Sequence, residues 1–181
     1  MTRNLMRSIA LVVVALMAAV QLGCTKSAET ETAQKPIDSR FVLNEEPAGA
    51  IGVNELREDA GKTGDVVVVG RIGGSHDPWT EGAAAFSLVD ASLTPCNEIE
   101  GDACPTPWDY CCEPDLAKST VLVKLVDESG KVVKQDAPDL TGLKELQTVV
   151  VEGQAVRDDA GNVSIAATGV HIRDGANGAN N

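Results

Sequence analysis

The chain runs to 181 residues, with 15 Lys and Arg against 27 Asp and Glu and a formal net charge of −12 at pH 7. A surface of that sign repels phosphate backbones and sets nucleic acid aside as an expected partner before any fold is considered. One apolar run stands out near the N-terminus, and no other segment is long and apolar enough to span a membrane.

Arg3 and Arg7 precede twelve apolar residues, Ile9 to Val20. A spanning helix needs about 20, so the run reads as the centre of a secretory signal over residues 1–23. Gln21-Leu22-Gly23-Cys24 resembles a lipobox, the signal that has the cysteine thiol lipidated before cleavage makes that cysteine the new N-terminus. Gly23 and Cys24 match it, whereas Gln21 stands where an aliphatic residue is usual. The resemblance implies an exported protein, lipid-anchored through Cys24 to the cell membrane or outer membrane, with its domain facing the periplasm or exterior. The plainer alternative is ordinary cleavage, with Cys24 lost or left as a spare thiol. Residues 24–48 then form a flexible tether, and Thr25 to Pro36 is polar and poor in aliphatics, as a tether requires. Losing Arg3 and Arg7 with the signal leaves 13 basic against 27 acidic residues, a net charge of −14.

A single domain is expected over 49–174, followed by a short disordered tail, 175–181. Ile51 to Ala60 predicts a short helix ended by Gly61. Asp65 to Ile72 (DVVVVGRI), Ala83 to Val89 (AAAFSLV) and Thr120 to Val126 (TVLVKLV) predict strands, being rich in residues that suit a pleated, half-buried surface. Asp127-Glu128-Ser129-Gly130 makes a turn into Lys131-Val132-Val133. Asp139 to Gln147 sets Leu140, Leu143 and Leu146 on one side of a short helix. Thr148 to Val156 and Val163 to Ile172 are the last strands, joined across Asp158 to Asn162. Three strands, a short helix and two strands over about Gly64 to Arg173 resemble the OB-fold, a small closed or nearly closed barrel. The likeness is to the anticodon-binding type, carried by VVVVGRIGG, AFSLVD, VVVEGQAV and IAATGVHI. It implies a mainly β fold, a five-stranded OB-like barrel with a short helix between strands three and four. Interior glycines such as Gly70 and Gly153 suit strands that coil sharply. In the last strand Val163, Ile165 and Ala167 alternate, and a bulge at Gly169 is expected to turn Val170 and Ile172 inward. A plain β-sandwich is the alternative.

OB-folds bind ligands across one barrel face and the loops around it. Two loops here are unusual: Gly73 to Gly82, and Ala91 to Lys118 with CNEIEGDACPTPWDYCCEP. A loop of the second length inside a compact domain is uncommon and often functional. Of the aromatic residues Phe41, Trp79, Phe86, Trp108 and Tyr110, the two tryptophans and the tyrosine lie in these loops. Trp79 and Trp108 either form a satellite core around the cysteines or, with His76 and Tyr110, line a ligand surface.

Beside Cys24, the chain holds Cys96, Cys104, Cys111 and Cys112, all in the second loop. In an exported protein an even count predicts two disulfides. Bridging the neighbours Cys111 and Cys112 strains the peptide between them. That leaves Cys96–Cys111 with Cys104–Cys112, or Cys96–Cys112 with Cys104–Cys111. The alternatives are a metal site, with His76 as an extra ligand, or thiol redox chemistry. The gaps of seven, six and zero intervening residues match no common zinc pattern, and there is no C-x-x-C. CPTPWDYCC also resembles a segment of exported bacterial proteins, a likeness that brings no activity with it.

No catalytic constellation is present, since the histidines are His76 and His171 alone and no nucleophile-elbow or phosphate-loop motif occurs. His171, in the last strand, reads as structural or exposed. Gly70 to Gly74 is not followed by a helix and is no dinucleotide fingerprint. Asn162-Val163-Ser164 matches a glycosylation acceptor, a short signal with a high chance rate. Asp158-Asp159 and Glu98 to Asp102 read as solvated acidic loops. The leading expectation is therefore a non-catalytic, cofactor-free binding or interaction module of the cell envelope. Its partners are the membrane, through Cys24, and a protein or small molecule that the sequence does not specify. The alternatives are a metal-binding or thiol-redox protein and an OB nucleic-acid binder, and the last lacks a basic groove.

Overall fold

A computed structural model describes residues 37–59 and 61–173. The signal, Cys24, the tether up to residue 36 and the tail from residue 174 lie outside the described residues. The elements are β1 (Ile51–Gly52), α1 (Val53–Glu58), β2 (Gly64–Ile72), β3 (Ala85–Val89), β4 (Thr120–Leu125), α2 (Ala137–Thr141), β5 (Thr148–Arg157) and β6 (Val163–Ile172), with 3₁₀ turns at Cys96–Glu98 and Leu116–Lys118. The strands follow the order β2-β3-β4-β6-β5, and β5 pairs back onto β2. This closes a five-stranded barrel, compatible with an OB-like fold. Within it β4 and β6 run parallel and the other neighbours antiparallel. The sandwich alternative fails because the β2–β5 ladder, continuous from Gly64 to Arg71, leaves no pair of separate sheets.

Closure follows from the period-two placement of apolar side chains. Val66, Val68 and Ile72 of β2, Val121, Val123 and Leu125 of β4, Val149 and Val151 of β5, and Val163, Ile165 and Ala167 of β6 all join one core. Fully burying an aliphatic side chain stabilises by about 1.5–3 kcal/mol, so the interior alone favours this register strongly. The expected bulge is present. Glu152 faces Gly169 while Gly153 faces Ala167, which leaves Thr168 without an opposite residue. The inward face thereby passes from Ala167 to Val170, and Ile172 packs against the core.

The short elements plug the barrel. Val53 and Leu56 of α1 are fully buried, as are Ala137 and Leu140 of α2 to within a few per cent. The helix expected over 139–147 is shorter and starts earlier. Pro138 stands in its first turn, and Gly142, at φ 74°, ends it in the left-handed region. Leu143 still reaches the core, but Leu146 has left the helix and donates its N–H to the Ile72 carbonyl at 2.9 Å. The helix expected over 51–60 begins instead as a strand, Ile51 and Gly52 pairing with Val68 and Val69. Packing also starts upstream of residue 49. Phe41 is a core residue, Leu43 donates its N–H to the Val170 carbonyl at 2.9 Å, and the His171 ring lies 3.1 Å from the Leu43 carbonyl.

Asp90, just after β3, anchors α1 to the barrel. It is buried and accepts hydrogen bonds from Asn54 N–H at 2.8 Å and from Ser92 N–H and Oγ at 3.0 and 2.7 Å. Burial alone would raise its pKa; hydrogen bonds from Asn54, Ser92 and Val53 outweigh that and hold it below 3.8. A depressed folded value contributes stability above the unfolded pKa and loses it as pH falls through the folded one. Asp90→Asn should therefore cost about 1.5–3 kcal/mol at neutral pH, the worth of hydrogen bonds to a charged group. Urea melts should show the gap to the parent narrowing as pH drops below about 4; a gap unchanged at low pH would refute the assignment.

Candidate metal centre in the cysteine loop

The loop from Ala91 to Ser119 leaves and rejoins the barrel at one point, where Asp90 N–H donates to the Ser119 carbonyl at 2.8 Å. Its two halves are joined by backbone bonds, Cys96 N–H to the Asp109 carbonyl at 2.8 Å and Asn97 N–H to the Pro107 carbonyl at 3.1 Å. A short turn in which Cys104 N–H donates to Asp102 Oδ1 at 2.9 Å and a bridge across the base of the loop, Thr94 N–H to Glu113 Oε1 at 2.8 Å, complete it. β2 holds the loop in place. Arg71 pairs with Glu98 at 2.7 Å, and Gly74 N–H donates to the Trp108 carbonyl at 3.2 Å.

This folding brings the sulfurs of Cys96, Cys104 and Cys111 within 4.8 Å of one another. Cys96 and Cys111 are closest, at 3.4 Å. The Cys112 sulfur is 4.0 Å from that of Cys111 but stands outside the group. The two expected disulfides are not formed, and the described cysteines are free thiols. Bonded sulfurs lie about 2.05 Å apart, and here three of them converge on one point where bridges would require separate pairs. Cys96 is buried, Cys104 half-buried, and Cys111 and Cys112 exposed, so the cluster is open to solvent on one side. Burial, with the Cys111 thiol beside it, pushes Cys96 up to about 12, while hydrogen bonding with Thr106 holds Cys104 below its ordinary value. The carboxylate of Asp102 acts on both Cys96 and Cys104, whereas that of Glu98 is taken up by Arg71.

The remaining sequence-selected residues are placed as follows. His76 is exposed and not part of the sulfur group; its carbonyl accepts from Trp108 Nε1 at 3.1 Å, so the two unusual loops are tied together. Trp79 packs its ring 6.0 Å from that of Phe86 and donates Nε1–H to Glu145 at 2.6 Å, so it covers the barrel wall. Tyr110 is buried against Gly73, its hydroxyl has no partner among the described residues, and burial pushes it up to about 12, with Arg71 acting in the opposite sense. Gly73, Arg71 and Asp109 are positioning residues that the sequence reading passed over, and Glu98, expected in a solvated acidic loop, is paired with Arg71 instead. The adjacent pair Gly73-Gly74 at a strand end was the available sign, since paired glycines there mark close backbone approach.

No protein-family model matches the chain, and no curated protein matches it either.

Proposed function

We propose that the protein is an exported, lipid-anchored metal-binding module in which Cys96, Cys104 and Cys111 hold a thiophilic ion. The observation that carries this reading is the convergence of three sulfurs without a bond between any two. Metal–sulfur bonds of about 2.3 Å set tetrahedral sulfurs about 3.8 Å apart, and the group, with 3.4 Å at its closest and 4.8 Å as its limit, brackets that figure. Because one side is open and the barrel has its own apolar core, the ion is exchangeable cargo in this reading, not a structural pin. The anionic surface argues against the nucleic-acid role of some OB-folds.

The test is metal and thiol content of protein taken from its native envelope under non-reducing conditions. The expected result is one soft metal ion per chain and four thiols released by denaturation with a chelator. Two disulfides and no metal would refute it. A second reading, thiol redox chemistry, is favoured by the 3.4 Å approach of Cys96 to Cys111. It predicts one reversible disulfide between those residues by peptide mapping, with Cys104 and Cys112 free.

The anchor is tested separately. Cys24→Ser should release the protein into the soluble exported fraction and abolish fatty-acid labelling. Membrane association unchanged in that variant would remove the lipid from the proposal.

A further inference from the structure

We infer that the ion is copper as Cu(I), held in trigonal coordination by Cys96, Cys104 and Cys111, with Cys112 left outside the coordination sphere. This rests on the metal-binding reading and deepens it by naming the ion. The donor set is sulfur alone, since no His, Asp or Glu joins the group among the described residues. Soft thiolates select Cu(I), zinc or iron–sulfur clusters, whereas imidazole and carboxylate donors extend the choice to other ions.

The number of donors then separates these. A structural zinc site takes four protein ligands in a tetrahedron, open zinc sites with three protein ligands draw at least one of them from histidine and keep a water in the fourth position, and iron–sulfur clusters are held by four cysteines. Here a fourth cysteine is next in the chain, yet its sulfur does not join the other three, although it lies 4.0 Å from Cys111. His76, the extra ligand considered from the sequence, is exposed on the neighbouring loop and also absent from the group. Three sulfurs, with no fourth donor in the group among the described residues, is the set that a trigonal ion requires. Bonds of about 2.3 Å place sulfurs of a planar trigonal centre about 4.0 Å apart, a separation the group accommodates without a new backbone path. The binding step conserves charge and atoms: each thiol that bonds to copper gives up its proton to solvent, and no electron is transferred because copper arrives as Cu(I).

The experiment uses the full mature chain in detergent, reduced and handled without oxygen. Cu(I) is supplied against a chromophoric copper chelator, Zn(II) is titrated in parallel against a zinc indicator, and X-ray absorption counts the sulfur neighbours. The expected result is one Cu(I) per chain with three sulfur neighbours and preference for Cu(I) over Zn(II). Cys112→Ser should retain the affinity within about twofold. Cys96→Ser, Cys104→Ser and Cys111→Ser should each lose more than the roughly 10–100-fold typical of removing a supporting residue. The sulfur count on the parent protein stands even where a serine variant fails to fold. Four sulfur neighbours, loss of affinity in Cys112→Ser, or preference for Zn(II) overturns the copper assignment while leaving a metal site. Failure of the reduced chain to bind either ion overturns both.

Discussion

Alanine at Gly73 should weaken metal binding by roughly 10–100-fold, the range typical of disturbing a residue that orients ligands. A β-carbon there would lie 2.5 Å from the Trp108 carbonyl oxygen and 3.0 Å from Tyr110 Cε2. Neither neighbour is the free end of a flexible chain: one is backbone, the other a buried ring. Gly73 itself is held at the end of β2, its N–H donating to the Ser87 carbonyl at 3.3 Å. The barrel wall is the stiffer side, so the segment Trp108 to Tyr110 must yield. Cys111 is the next residue, and Cys96 is bonded to the same segment through the Asp109 carbonyl. Two of the three sulfurs therefore move with it. Overpacking of this kind costs about 1–3 kcal/mol of stability, which urea melts measure apart from chelator competition. Unchanged affinity in Gly73→Ala would show that contact with β2 does not position the sulfurs.

The barrel was legible where side-chain alternation is long enough to count. β6 was expected at its observed bounds, and the switch from Ala167 to Val170 revealed the bulge, because only an added residue keeps both on one face. β1 was not legible, since two residues, Ile51 and Gly52, carry no periodicity and are a strand only through their pairing with Val68 and Val69. Leu140, Leu143 and Leu146 have helical spacing, yet Gly142 breaks the helix between them, and two of the three reach the core from different backbone states. In the site, the crowding of four cysteines into one loop was plain from the sequence. Their arrangement was not. Parity and compartment argue about oxidation state, whereas the triad depends on bonds across the loop, Cys96 to Asp109 and Gly74 to Trp108, that spacing does not encode.

Bound metal should protect Pro105 to Trp108 from a nonspecific protease by about 100-fold at a free metal concentration one hundred times Kd. Pro105 is exposed and Trp108 half-buried, and the stretch lies outside the barrel ladders, held by single loop bonds such as Asp109 N–H to the Thr106 carbonyl at 2.9 Å and Asn97 N–H to the Pro107 carbonyl at 3.1 Å. It opens locally far more readily than β2, β4, β5 or β6, whose inward side chains are fully or almost fully buried. When opening and reclosing outpace cleavage, the cleavage rate follows the population of the open loop. Cys104 precedes this stretch and Cys111 follows it, so an opening that exposes Pro105 to Trp108 separates the sulfurs and releases the ion. The open population then falls by the factor 1 + [metal]/Kd. On logarithmic axes the rate should be flat below Kd and fall with a slope of −1 above it. Chelation should restore rapid cutting at the loop while the far-ultraviolet signature of the barrel persists, because the core of Val68, Phe86, Val123, Val151 and Ile165 contains no group from the site. A cleavage rate independent of metal would mean that the sulfurs do not close the loop around an ion. Cuts spread evenly along the chain after chelation would mean that the barrel depends on the metal after all.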